Sequence, residues 1–124
     1  MKKKILIIED EDDFQDILNQ FLEPAGYDLA FASDGESALR FLARNPIDLI
    51  IADVNLPIKD GYATCREIRA NPHWRNIPIL MLTIRSRDEE IARGLDIGAD
   101  DYMTKPVDPL ELGARIRKLL ASGE

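Results

Sequence analysis

The residues in this chain best suited to chemistry stand where apolar runs stop. Asp53 follows the run Ile47-Asp48-Leu49-Ile50-Ile51-Ala52 and opens the segment Val54-Asn55-Leu56-Pro57. Glu9 and Asp10 follow Ile5-Leu6-Ile7-Ile8, Thr83 follows Ile79-Leu80-Met81-Leu82, and Lys105 precedes Pro106 after a shorter run. Singly, each has a plainer use: helix-entry acids, a turn former, a β-branched strand residue, a surface cation. Together they suit a divalent cation and a phosphoryl group. Carboxylates on neighbouring strand ends, ~4 Å apart, repel by roughly 4 kcal/mol at an effective dielectric of 20. A proton or a cation must relieve that repulsion. Mg²⁺ suits a site of one or two carboxylates and several waters, with room for a phosphate oxygen. An aspartate can be a phosphate-accepting nucleophile. An ammonium and a hydroxyl can then share the charge on the phosphoryl oxygens with the ion.

These side chains meet only if the runs carrying them lie side by side. Residues 5–8, 27–32, 47–52, 79–82 and 100–103 read as strands, the first a continuous apolar run of the kind buried on both faces. Between them lie helical patterns. Asp12 and Asp13 open one whose apolar positions are Phe14, Ile17, Leu18, Phe21 and Leu22, ended by Pro24 and Gly26. Ser33 and Glu36 have capping-box spacing before Ala38, Leu39 and Leu42. A third helix spans Tyr62–Ala70, and a fourth spans Asp88–Ile97 with Gly98 as its cap. The last starts at Asp108-Pro109-Leu110-Glu111 and buries Leu112, Ile116, Leu119 and Leu120. Alternating units of this kind predict a doubly wound parallel sheet of five strands with helices on both faces. Such sheets bind ligands beyond the carboxyl ends of their strands, where the singled-out residues fall.

Bulk properties narrow the function. A chain of 124 residues, 45% hydrophobic and 31% charged, has the size and make-up of one globular domain. Sixteen Lys+Arg against 23 Asp+Glu give a formal charge of −7, which argues against direct nucleic-acid binding. One cysteine, Cys65, fits a reducing compartment and a packing role. The apolar stretch behind the basic start is too short for a signal or a membrane span, so a cytoplasmic protein without membrane contact is expected. His73, the single histidine, lies in a Pro-rich loop beside Trp74 and is not expected to be catalytic or a metal ligand.

The motifs Ile-Ile-Glu-Asp-Glu at 7–11, Asp-Val-Asn-Leu-Pro-Ile-Lys-Asp-Gly at 53–61, Met-Leu-Thr at 81–83 and Gly-Ala-Asp-Asp-Tyr-Met-Thr-Lys-Pro at 98–106 form a specific set. Through them the whole chain, residues 1–124, resembles the receiver domain of bacterial two-component response regulators, either standing alone or as part of a longer regulator. The resemblance implies a flavodoxin-like strand order of 2-1-3-4-5. It implies that Asp53 accepts a phosphoryl group from a sensor histidine kinase or phosphotransfer protein. Glu9, Asp10, Asp53 and the backbone carbonyl of Asn55 would hold Mg²⁺, with Mn²⁺ able to substitute. Lys105 would contact the phosphoryl group next to a cis peptide at Pro106. Thr83 and Tyr102 would form a switch pair that remodels the face of the Asp88–Ile97 helix, the fifth strand and the last helix, so controlling an output domain or protein. The chain would catalyse only its own phosphorylation and dephosphorylation.

Two positions depart from the family pattern. Ile84 stands where a small residue is usual after the switch threonine; with Arg85 and Asn55 it is expected to tune the rates of phosphoryl gain and loss. Asp101, Glu111 and Arg115 resemble the charged set that holds a homodimer in the winged-helix DNA-binding subfamily, but Ile91 occupies a usually basic position. Two other classes compete with the switch. One is a receiver-like binding module that is no longer phosphorylated. The other is a small phosphohydrolase with an aspartyl nucleophile, which would need a second acid where Asn55 stands.

Overall fold

A computed structural model of the chain describes residues 2–56, 60–84, 88–89 and 98–122. Strand β1 (Lys4–Ile8) leads to helix α1 (Asp12–Leu22), β2 (Asp28–Ala32), α2 (Gly35–Leu42), β3 (Leu49–Asp53), α3 (Gly61–Ala70), β4 (Ile79–Thr83), β5 (Asp101–Thr104) and α4 (Pro109–Ser122). All strand pairings are parallel, and the order across the sheet is β2-β1-β3-β4-β5. Of the helix expected at Asp88–Ile97, only Asp88 and Glu89 fall among the described residues, and both are helical.

The strand alternation divides the core into two layers. Leu6, Ile8, Ile50, Ala52, Ile79 and Met81 point to one face, where Ala38, Leu42, Cys65 and Ile68 of α2 and α3 cover them. Ile5, Ile7, Leu49, Ile51, Leu80 and Leu82 point to the other, under Leu18 and Leu22 of α1 and Leu112, Ile116 and Leu119 of α4. Central strands β3 and β4 are buried at every position, whereas edge strands β2 and β5 are only partly so. This is why the central strands read as unbroken apolar runs.

Local signals set the helix ends. Gly26, at φ +92°, supplies the left-handed turn that separates α1 from β2. Asp108 Oδ2 accepts from Glu111 N at 3.1 Å at the start of α4, where Pro109 is the first helical residue. At α2 the expected cap shifts by one residue. Asp34, not Ser33, is the N-cap, and its Oδ1 accepts from Ser37 N at 2.7 Å. An ionised carboxylate beside the positive end of a helix is the stronger acceptor, and those bonds hold the Asp34 carboxyl below its ordinary range.

Candidate functional site

The strand ends converge as the parallel sheet requires. β3 lies between β1 and β4, with Ala52 level with Ile8 and Asp53 level with Leu82. Glu9, one residue beyond β1, and Asp53, the last residue of β3, are therefore neighbours. Both are buried, at 1% and 2% exposure. Glu9 N donates to Ala32 O at 2.9 Å, and Val54 N donates to Leu82 O at 3.0 Å, so each strand continues hydrogen bonding past its acid. The Glu9 backbone carbonyl accepts from the Gln15 side-chain amide at 2.6 Å, tying the site to the first turns of α1.

Lys105 reaches this pair from the far side of β4. Its backbone N–H donates to Thr83 O at 2.8 Å, aligning the residue after β5 with the end of β4. The bond joining it to Pro106 is cis. Its ammonium lies 2.5 Å from Asp53 Oδ2 and 3.8 Å from Glu9 Oε2. The other Asp53 oxygen, Oδ1, accepts from Asn55 N at 2.9 Å. The loop then returns closely: Gly61 N donates to Val54 O at 2.9 Å, and a Cβ at position 61 would come within 2.3 Å of Asp53 O. Only glycine fits there without moving the end of β3.

The charges are not balanced. Glu9, Asp10 and Asp53 place carboxylate oxygens within 4.8 Å of one another, and among the described residues the ammonium of Lys105 is the cation paired with them. Glu9 Oε1 accepts from Glu11 N at 3.1 Å, but Glu9 Oε2 is buried without a donor. Burial, a shared hydrogen bond with Asp53 and the Asp53 charge push the Glu9 carboxyl up to about 8. A proton on Glu9 relieves the repulsion; so would a cation. The orphaned oxygen and the all-carboxylate donor set fit a hard divalent ion such as Mg²⁺.

The other expected residues are placed as follows. Thr83 closes β4 and is fully buried, and Tyr102 on β5 is buried in the layer under α2 and α3. Ile84 is 67% exposed at the turn after Thr83. Asn55 is exposed, while Arg85 and Ile91 lie outside the described residues. Asp101, Glu111 and Arg115 do come together, but with one another inside one chain. Arg115 Nη1 is 2.7 Å from both Asp101 oxygens, and Arg115 Nη2 is 2.9 Å from Glu111 Oε1. His73 and Trp74 lie far from the acids, lining a groove of about 400 Å³ beside Ile47 and Ile77, at the starts of β3 and β4.

Two features were missed by sequence reasoning. Arg69 on α3 donates to the carbonyls of Gly98, Arg75 and Ile77 and pairs with Asp100 at 2.7 Å. Phe14, read as a core residue, also lies under the Lys105 ammonium, 4.5 Å from ring centre to nitrogen. Neither has a local sequence signal, because both depend on contacts between distant segments.

Comparison with known proteins places this geometry. Residues 5–117 match the response regulator receiver domain family. The chain belongs to that family. As a receiver domain it shares 44% identity with the alkaline phosphatase synthesis transcriptional regulatory protein PhoP of Bacillus subtilis, over 100% of this chain and 51% of that protein. It shares 44% with a probable transcriptional regulator, ycf27, of Porphyridium aerugineum, over 96% of this chain and 48% of that one. The receiver chain thus spans about half the length of these curated relatives. Among solved structures, a putative response regulator from Chloroflexus aurantiacus superimposes with a TM-score of 0.91 at 39% identity, covering 98% of this chain and 99% of that one. The receiver domain of the Pseudomonas aeruginosa sensor histidine kinase PA1611, described with a magnesium ion coordinated in its active site cleft, matches with a TM-score of 0.89 at 32% identity, covering 98% and 99%. Relatives of this kind are signalling proteins. No helix among the described residues is long and apolar enough to cross a membrane.

Proposed function

We propose that this receiver is a phosphorylation-activated switch with Asp53 as the acceptor. One observation carries the reading: a buried carboxylate at the end of the central strand holds an ammonium at 2.5 Å while two further acids crowd it. Such a carboxylate is a positioned nucleophile in a site built to neutralise incoming negative charge. In the forward step an Asp53 oxygen forms a bond to phosphorus as the phosphorus–nitrogen bond of a phosphohistidine breaks. The imidazole leaves and is reprotonated. In the reverse step water attacks the phosphorus, and inorganic phosphate and the carboxylate are released. Lys105 follows the charge onto the phosphoryl oxygens, and Thr83 supplies a hydroxyl to them. Glu9, Asp10, Asp53 and the Asn55 carbonyl would hold Mg²⁺, or Mn²⁺ in its place; when bound, the ion neutralises the carboxylates and the transferred group.

The phosphohistidine donor belongs to a sensor kinase or phosphotransfer protein. The response is a shift toward an arrangement in which Thr83 and Tyr102 repack and the β5–α4 face changes for an output unit. The half-length match to transcriptional regulators supports an output beyond this domain. The charge of −7 supports leaving nucleic-acid contact to that output, and a chain with a single cysteine, which can form no internal disulfide, supports a cytoplasmic setting. A homodimer through Asp101, Glu111 and Arg115 would have to exchange ion pairs now satisfied within one chain.

The test is phosphoryl uptake from acetyl phosphate and from phosphorylated sensor kinases, read as a mobility shift on phosphate-affinity gels. The native chain should take up one acid-stable, hydroxylamine-labile group, and Asp53→Asn should take up none. Label that persists in Asp53→Asn would move the acceptor elsewhere.

A further inference from the structure

The Lys105 ammonium that lies 2.5 Å from Asp53 Oδ2 also lies 4.5 Å from the centre of the Phe14 ring. Phe14 is in the first turn of α1, half-buried against the layer of Ile5, Ile7 and Leu18. That turn is anchored. Gln15 N donates to Glu11 O at 3.0 Å, and the Gln15 side chain donates to Glu9 O at 2.6 Å. The ring is thus fixed to the same backbone that carries the acids, and the flexible lysine comes to it.

We propose that Phe14 is a positioning residue for Lys105, its ring holding the ammonium beside Asp53 while the phosphoryl group arrives. The proposal rests on Asp53 being the acceptor. A lysine tail has several rotatable bonds and a strongly hydrated head, so confining it costs side-chain entropy. Asp53 alone cannot meet that cost throughout the reaction, because its oxygen changes partner when the bond to phosphorus forms. Glu9 and Asp10 are the groups that a divalent ion would claim. The attraction of an aromatic quadrupole for a cation depends on neither event, and it persists as the ammonium turns from carboxylate to phosphoryl oxygen.

Initial rates of uptake from acetyl phosphate at saturating Mg²⁺ test the proposal in native, Phe14→Leu and Phe14→Tyr chains. Leucine keeps an apolar, somewhat smaller side chain and loses the ring, and should slow uptake by about three- to tenfold. Tyrosine should restore the native rate to within about twofold. In a Lys105→Met background, Phe14→Leu should have no further effect. Equal rates in native and Phe14→Leu chains, failure of tyrosine to restore, or an undiminished effect without Lys105 would each overturn the proposal. A second arm needs no phosphodonor. The Lys105 ε-methylene protons should resonate upfield of ordinary lysines in native and Phe14→Tyr chains and at the ordinary position in Phe14→Leu. An ordinary shift in the native chain overturns the placement. A native chain that shows the upfield shift yet takes up no phosphoryl group overturns the acceptor reading, and this use of the contact with it.

Discussion

Two charge networks in this molecule are built on opposite plans. Around Arg69, one guanidinium meets one carboxylate and three backbone carbonyls, with each of its three nitrogens directed at a partner. Around Asp53, the Lys105 ammonium is set among three carboxylates, and among the described residues a buried oxygen of Glu9 is offered no hydrogen-bond donor by the ordinary charged forms of its neighbours. The first network is complete and closes the start of the sheet, joining α3 to the segments that lead into β4 and β5. The second is left in deficit of positive charge. A deficit of that kind destabilises the protein by itself, and it makes sense where something positive, or something that brings positive charge with it, is meant to bind.

The contrast can be broken most forcefully at Glu9. Glu9→Gln removes one of the three crowded carboxyls and should weaken Mg²⁺ binding on the order of tenfold to a hundredfold, measured by calorimetry. The same variant should alter the dependence of stability on pH. The folded-state pKa of Glu9 is raised to about 8, so its contribution to stability is fully present below its unfolded value near 4.5 and is lost as pH rises through about 8. Metal-free native protein should therefore lose stability on that account between those limits, and Glu9→Gln should lack this component. By the same linkage, Mg²⁺ should bind more tightly as pH rises toward 8 and should release a proton when it binds near neutrality. Identical pH profiles for variant and native chain would place the deficit elsewhere.

Arg69→Met breaks the completed network instead. It takes the donor from three carbonyls and leaves Asp100 Oδ2 with only its 2.8 Å bond from Ile79 N, and should cost about 2 kcal/mol in urea melts while leaving phosphoryl uptake close to native. A large loss of uptake without a loss of stability would mean that the two networks are coupled. A smaller effect is expected at the rim of the site. Ile84→Ala, which removes an exposed branched side chain next to Thr83, should speed both uptake from small donors and hydrolysis by about threefold, since mutual access rather than binding changes. Unchanged rates would remove Ile84 from the rate-tuning set. The smallest effect belongs to Arg115→Ala. Its pairs with Asp101 and Glu111 lie at a partly exposed surface, so its loss should cost less than about 1 kcal/mol, read as a shift in urea midpoint.

How much could be read from the chain depends on the range of the forces involved. Strands β1, β3 and β4 were legible to within a residue or two because burial on both faces leaves a run of four apolar side chains in each. The meeting of Glu9 with Asp53 was legible for the same reason, since adjacent parallel strands bring equivalent ends together. Lys105 could be placed from its motif. The α2 cap was off by one residue because Ser33 and Asp34 are both competent acceptors, and only the chain path decides between them. The Arg69 network and the Phe14–Lys105 contact were not legible. Residues 69 and 98, or 14 and 105, carry no signal of each other in a single sequence. The charged set on β5 and α4 was legible as a set, but not that its members would satisfy one another.

The burial of β3 has a consequence for how the molecule should fail on heating. All its positions are enclosed, with neighbouring strands on both sides, so the amide protons of Ile50, Ile51 and Ala52 should be among the last to exchange with deuterium. The carboxylate at its end is then held in place for as long as any cooperative structure survives. Competence to accept a phosphoryl group should not fade gradually with temperature. It should vanish together with the sheet.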